Sequence, residues 1–559
     1  MPAQVNRRPV SVNSNHRCSL QFANICGNFK LRTPRLGSPS LFCVVFCLFA
    51  ALMSFATDVV TYHYDIARTG QNLQETILTT KNVNSSSFGK LFTSGVDGII
   101  DAQPLLLSAV SIPSQGTHNV MFAVTENDSV YAFDADNGNQ LWHVSLLQSG
   151  ESPSDDHGCR QISPQIGITS TPVIDRAIGP NGTIYVVAMS KNSNQYVQRI
   201  HALDITSGAE EFGGPVTVKA KYPGHGDNSH NGYVIFDPGQ YAERQGLLLL
   251  NHVVYTAWTS HCDERPYTGW LIGYDQRNLS QTSVLNLTPN GSEGSIWQSG
   301  AGIASDGQNI FFLDANGTFD TTLNKNGFPA NGNYGNGFIK VSAAGNKLKV
   351  ADYFNMFNTV SESNNDRDLG SGGTIVLPTM KDAKGKPRYL AIGTGKDQNI
   401  YIVDRNNMGK FNPHSNNIYQ EIDGILPNGV WAMPAYFDGN IYYGPVANNL
   451  MQFRFSNARL STSPLSKSAA AFAYPGTTPS VSANGSQNGI VWAIEHTDPY
   501  DVLHAYDATN LANELYHSNQ ALNQRDQLGT ASHFGTPVVA NGKVYIGTTN
   551  NVTVFGLLH

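Results

Sequence analysis

An all-β fold, a single β-propeller of eight four-stranded blades with seven as the alternative count, is predicted by three observations. The composition suits tight turns and short strands, one strand pattern recurs along the chain, and the two ends of the mature chain complement each other. Of 559 residues, 53 are glycine, 14% are charged and 10% are aromatic. Such a chain has ample apolar area for a core and little of the charge that long solvated helices carry.

The recurring element is a strand closing on a large apolar residue and an aspartate. Its clearest copies are Val130 to Asp134, Ile200 to Asp204, Leu271 to Asp275, Ile400 to Asp404 and Leu503 to Asp507. Weaker copies run from Gly337 to Val341, Leu450 to Arg454 and Val554 to Leu558. Successive copies begin 50 to 71 residues apart, room for four strands and generous loops. A preceding strand recurs in step, as in Thr183-Ile184-Tyr185, Asn309-Ile310-Phe311, Asn440-Ile441-Tyr442 and Lys543-Val544-Tyr545. Alternation of β-branched and aromatic residues is the signature of half-buried strands. The last unit, Gly535 to Leu558, supplies only three strands, whereas Phe88 to Thr93 reads as a fourth strand without a blade. Pairing the two would close the ring and remove an open edge.

The leader is distinct. Residues 1–57 carry six basic residues and no Asp or Glu, then an apolar run from Leu41 to Ala56. Sixteen residues fall short of the roughly 20 that span a bilayer. Residues 1–56 therefore read as a signal peptide cut before Thr57, with a membrane anchor formed by residues 41–56 as the alternative. The expected location is secreted or periplasmic, with 58–559 forming one domain and a monomer. Without the six leader charges, 29 basic residues face 42 acidic ones, a formal net charge of −13. Such a field repels nucleic acid, so the expected partner is a small molecule or a protein, with membrane contact only through an uncleaved leader. The mature part keeps two cysteines, Cys159 and Cys262, which an oxidising compartment pairs; two free thiols are the alternative. Asn181 and Asn316 head glycosylation triplets, relevant only in a eukaryotic secretory host.

The segment Val130-Tyr131-Ala132-Phe133-Asp134-Ala135-Asp136-Asn137-Gly138, followed by Leu141-Trp142, resembles the repeat of pyrroloquinoline-quinone (PQQ)-type propellers, the quinoprotein alcohol dehydrogenase-like family. The resemblance runs along the whole mature chain as a pattern and is nearly complete only in this first unit. It implies that the aspartate and glycine shape a turn and that the tryptophan docks between blades. In quinoprotein alcohol dehydrogenases the quinone lies between a tryptophan and a ring of two adjacent cysteines, with calcium and a catalytic aspartate. This sequence has no adjacent cysteine pair and no Cys-x-x-Cys-His haem site. PQQ and calcium are thus implied as cofactors while their most checkable mark is missing.

In a propeller, residues entering the innermost strands converge at one rim of the axis. Those positions hold Asp101, Gln103, Gln165, Thr169, Trp297, Gln298, Asp368, Ser371, Trp431, Thr477, Ser532 and His533. Tryptophans to stack a sugar or quinone ring, with amides and hydroxyls to orient it, point to a ligand site; a merely hydrated channel is the alternative. Asp101, Asp368 and His533 are the catalytic candidates, and Asp366 with Asp368 the metal candidates. The Gly-rich end of Asp366 to Gly373 leads into a strand, not a helix, so it is no phosphate loop. His225, Asp227 and His230, with His261 and Asp263, have no standard zinc spacing. Asp155 to Cys159 reads as a loop that a bridge to Cys262 would bring beside them. The main expectation is an exported propeller binding a carbohydrate or quinone-like ligand at its axis, or a protein on its faces; the alternative is a PQQ- and calcium-dependent oxidoreductase of alcohols or sugars.

Overall fold

The repeat seen in the sequence is the third strand of a recurring antiparallel sheet. A computed structural model describes residues 56–558, so the expected leader, Ala56 excepted, lies outside the described residues. The first sheet is built from Leu105–Ile112, Gly116–Val124, Ser129–Asp134 and Gln140–Ser145 in that order. Seven further sheets of four or more strands follow among the described residues. Their third strands are Gln195–Asp204, Trp270–Asp275, Phe338–Ser342, Ile400–Asp404, Asn448–Ser456, Val502–Asp507 and Asn551–Leu557, which carry the strong and the weak copies alike. The one α-helix among the described residues, Thr359–Asn364, is short. No helix there is long and apolar enough to cross a membrane.

Alternation along each strand decides what packs where. Ala391 and Ile392, neighbours on one strand, point to opposite faces. Ala391 joins a cluster with Phe311 and Phe338 of the preceding sheet, while Ile392 joins Ile441 and Phe453 of the following one. The same division repeats from sheet to sheet, and the first cluster unites Val120 and Val130 of the first sheet with Tyr545 and Val554 of the last. Phe88–Gly95 completes that last sheet by pairing antiparallel with Asn551–Leu557. Trp142 docks as its repeat implies: its indole donates to the Ile205 carbonyl at 3.1 Å, against the Asp204–Gly208 turn of the next sheet.

One feature is not visible in the repeat. Innermost strands of radial sheets carry backbone groups with no further strand to pair them, and buried groups of that kind need partners. Residues 59–75 supply them. Val59 pairs with Leu106, and the Val60, Ile66, Ala67, Thr69 and Gly70 carbonyls accept from Ile174, Ser305, Val376, Tyr436 and Val481. Gln71–Asn72 adds a short parallel strand to Ser480–Asn484, and the Tyr64 hydroxyl accepts from Val539 N at 2.7 Å. Arg68 reaches the remaining sheet through Leu247 O at 3.0 Å. This single segment therefore bonds to the inner strands of seven sheets and to the residue that leads into the inner strand of the eighth, and so plugs the axis. The tight curl requires positive φ at His63 (56°), Tyr64 (72°) and Arg68 (62°), costly for side chains that are not glycine. Gly70, at φ 73°, faces the His63 ring where a Cβ would collide.

Candidate functional site

With one end of the axis plugged, the entries to the innermost strands form the walls of a cup. Its cavity, about 240 Å³, is lined by Gln161, Cys262, Asp263, Trp297, Asp366, Asp368, Lys396, Trp431 and Tyr474. A smaller recess beside it, about 10 Å³ and sufficient for one water, is bounded by Cys159, Arg244, His261, Trp297 and Phe534.

Five positions expected from sequence thus meet at one cavity: Trp297, Trp431, Asp366, Asp368 and Cys262. Cys159 and Cys262 form a disulfide with Cα atoms 5.5 Å apart, so the bridge of two distant cysteines is part of the wall. It also pins the Asp155–Cys159 loop, where His157 stacks on His261 at 4.1 Å. Trp297 meets Phe534 edge to face at 5.9 Å, and Trp431 meets Tyr474 at 6.1 Å. Tyr474 is 53% exposed and stands at the mouth.

The charged groups form two sets. Asp368 is fully buried, and its carboxylate lies 2.8 Å from Lys396 Nζ, which also binds Asp366. Burial pushes the Asp368 carboxyl up, and the ammonium opposes that. Lys396 loses hydration too, yet Asp368 and Asp366 hold it protonated, above its ordinary range. In the second set Asp101 pairs with buried Arg244 at 3.1 Å, and Arg244 lies over the Phe534 ring at 4.9 Å. Glu126 accepts from Gly167 N at 2.6 Å and from Thr169 Oγ1 at 3.3 Å. Burial, then the Asp101 charge, push the Glu126 carboxyl well above the usual carboxylate range.

Other expected residues are turned to internal work. Gln103 accepts from His63 N at 2.9 Å and so anchors the plug. Gln165 donates to the Glu126 carbonyl at 3.0 Å. Gln298 accepts from Leu313 N at 2.9 Å, Ser371 donates to Val430 O at 2.7 Å, and Thr477 accepts from Ile494 N at 3.1 Å. Residues entering a buried strand meet unpaired backbone as often as open space, and these side chains satisfy it. Ser532 is buried, whereas His533 is only partly covered, 5.9 Å from the His496 ring and 6.3 Å from Tyr474. Partial burial, then His496, lower the affinity of His533 for a proton. Of the group His225, Asp227 and His230, Asp227 is taken by Arg265 at 2.7 and 2.8 Å. No cluster of three or more His, Cys, Asp or Glu side chains placed to hold a metal occurs among the described residues.

Sequence reasoning missed Lys396, Arg244, Glu126 and Tyr474. Lys396 carried a usable signal: it follows the strand Leu390–Thr394 in the same sheet that Asp368 enters. Behind Arg244, burial pushes Glu243 up to about 8 from 4.5. Between those values the folded state keeps a proton that the unfolded chain has released, so this contribution is full at low pH and lost as pH rises through about 8. Glu243→Gln is expected to flatten, without abolishing, the fall in melting temperature across that window, as calorimetry at successive pH values would read.

No protein-family model matches the chain, and no curated protein matches it in sequence. Solved structures do. A quinohemoprotein alcohol dehydrogenase from Pseudomonas putida HK5 superposes with a TM-score of 0.58 at 11% identity, covering 89% of this chain and 80% of that one. The enzyme of the same name from Comamonas testosteroni gives 0.56 at 14% identity with the same coverages. At such identities the likeness is one of fold, and the fold is a β-propeller.

Proposed function

We propose that residues 58–559 form one exported eight-bladed propeller that uses a quinone of the PQQ class in its axial cavity to oxidise alcohols or sugars. The carrying observation is the joint presence, in one cavity, of a disulfide, two tryptophans and a buried aspartate held by a lysine. The blade count rests on eight sheets of four or more strands, and the solved quinohemoprotein alcohol dehydrogenases lend the reaction class.

The residues present fit such a cofactor. Trp297 and Trp431 offer aromatic faces to a planar ring, and Arg244 and Lys396 are donors for its carbonyl and carboxylate oxygens. A hard cation such as Ca²⁺ fits too: Asp366 and Asp368 supply carboxylates, and the buried Asn316 Oδ1 is an acceptor with no donor while its amide holds Asp366 at 2.7 Å. The cation would share those carboxylates with Lys396. A bound quinone supplies the two-electron acceptor that protein side chains lack. Asp368 accepts the proton of the substrate hydroxyl, Lys396 holds the carboxylate in place, and Tyr474 and Trp431 flank the entry.

The test is reconstitution. Purified protein with PQQ and Ca²⁺ is expected to melt at a higher temperature and to reduce a redox dye with members of an alcohol and sugar panel. Trp297→Ala is expected to weaken quinone binding about 10- to 100-fold, the scale of an aromatic anchor lost from a binding site. No shift and no reduction would remove the oxidoreductase reading. A second reading, carbohydrate or protein binding without turnover, is favoured by the exposure of Tyr474 at the mouth. Oligosaccharide binding lost in Trp297→Ala or Trp431→Ala, with no dye reduction, would select it.

A further inference from the structure

A second cavity lies away from the axis, at the outer strands of the third and fourth sheets. Its volume is about 310 Å³, within the usual range of about 300–1,000 Å³ for small-molecule sites. One wall is Leu285 and Asn286 of the strand Gln281–Asn286, another is Lys349 and Val350 of Lys349–Phe354. Tyr222, Pro289 and Leu348 contribute as well, and the rest comes from residues 314–337, an excursion between two strands whose counterparts in the other sheets are joined by far shorter connections. Such an excursion needs a reason, because its backbone must be ordered outside the repeat.

This excursion is held firmly. Phe319 bridges to Tyr334, and Leu323 to Pro329. Tyr334 packs edge to face on Tyr353 at 5.5 Å, and the Tyr353 hydroxyl donates to Gly327 O at 2.8 Å. Lys410 lies over the Phe328 ring at 4.5 Å while donating to Asn326 O at 2.8 Å. The cavity is therefore formed before any ligand arrives, which lowers the entropic cost of binding.

Its chemistry is selective. Tyr222, Phe328 and Tyr334 supply aromatic surface, and the two tyrosines add phenolic hydroxyls. Asn324 and Asn326 add amide groups, and Lys349 is the one charged side chain lining the cavity. With no carboxylate in the wall, a cationic ligand gains nothing. A flat ring with hydroxyls on its edges and C–H groups on its faces meets all of these groups at once.

We propose that this cavity is a carbohydrate-binding site for a neutral oligosaccharide, separate from the axial site and independent of whatever the axial cavity does. An oligosaccharide held at the rim would keep a larger glycan near the protein without occupying the axis.

Calorimetric titration of the intact mature protein with cellohexaose, xylohexaose, maltohexaose and mannohexaose tests this. At least one is expected to bind, with affinity lowered about 10-fold or more in Tyr334→Ala and Tyr222→Ala, as for other aromatic anchors. Tyr334→Phe keeps the packing on Tyr353 and removes only the hydroxyl, so a loss of about 3- to 10-fold there, the scale of one hydrogen bond, guards against misfolding as the cause. Trp297→Ala should leave this binding intact, whatever it does at the axis. Failure of all four sugars, binding indifferent to Tyr222 and Tyr334, or binding lost only in Trp297→Ala would each overturn the proposal.

Discussion

Arg68→Met is expected to be the most destabilising single substitution in the chain, lowering the melting temperature by about 5–10 °C in a calorimetric scan. Arg68 is fully buried at the axis, and its guanidinium donates to Ile303 O at 2.9 Å, Thr61 Oγ1 at 2.7 Å, Tyr62 O at 2.8 Å and Leu247 O at 3.0 Å. Methionine roughly keeps the apolar stem and removes every donor. Each stranded buried acceptor costs about 1–3 kcal/mol, so several together exceed about 4 kcal/mol. Arg68→Lys should recover only part of the loss, since one ammonium cannot reach oxygens spread around a planar fork. The plug joins sheets far apart in sequence, so the loss should appear as cooperative unfolding at lower temperature, not as local fraying. Wild-type stability in Arg68→Met would mean that the plug contributes little to the ring.

The fold was legible because its signal is repeated. Each weak copy, such as Leu450 to Arg454, is ambiguous alone, but its spacing from stronger copies places it on a third strand, where the structure also has it. Ring closure was legible for a different reason: Phe88 to Thr93 resembled a strand without a sheet, and the last unit lacked one. The plug was not legible. Residues 59–75 carry no alternation, and their hydrogen bonds run to eight places distant in sequence. Local pattern reports pairing between neighbours and is silent about a segment whose sheet partners are all remote.

The site divides along the same line. Trp297, Trp431 and Asp368 were identified because strand entry determines which rim a residue reaches. Gln298, Ser371 and Thr477 occupy equivalent positions yet turn inward, because the choice between lining a cavity and capping a neighbour's backbone depends on a rotation of one residue. Lys396 and Arg244 were missed because each acts through its partner: nothing local distinguishes a lysine bound to Asp368 from one on a solvated face.

That pairing decides the largest expected effect on activity. Asp368→Asn should lower dye reduction by reconstituted protein about 10²- to 10⁴-fold, the usual contribution of a general base. Asparagine has nearly the same shape, and Lys396 keeps Asp366 as a counter-charge, so folding and much of the quinone-induced stabilisation should survive. Lys396→Met should behave differently. It strands the Asp368 charge in a buried wall, and breaking a buried pair from one side costs about 3–5 kcal/mol, so this variant should lose stability as well as activity. Combining the two substitutions removes both charges and should restore much of that stability while activity stays low. Asp101→Asn, which alters the pair with Arg244, keeps both members of the Asp368–Lys396 pair and should retain far more turnover. Should Asp101→Asn prove the inactive variant and Asp368→Asn the active one, the base would be the carboxylate held by Arg244, and the substrate hydroxyl would have to approach that pair instead.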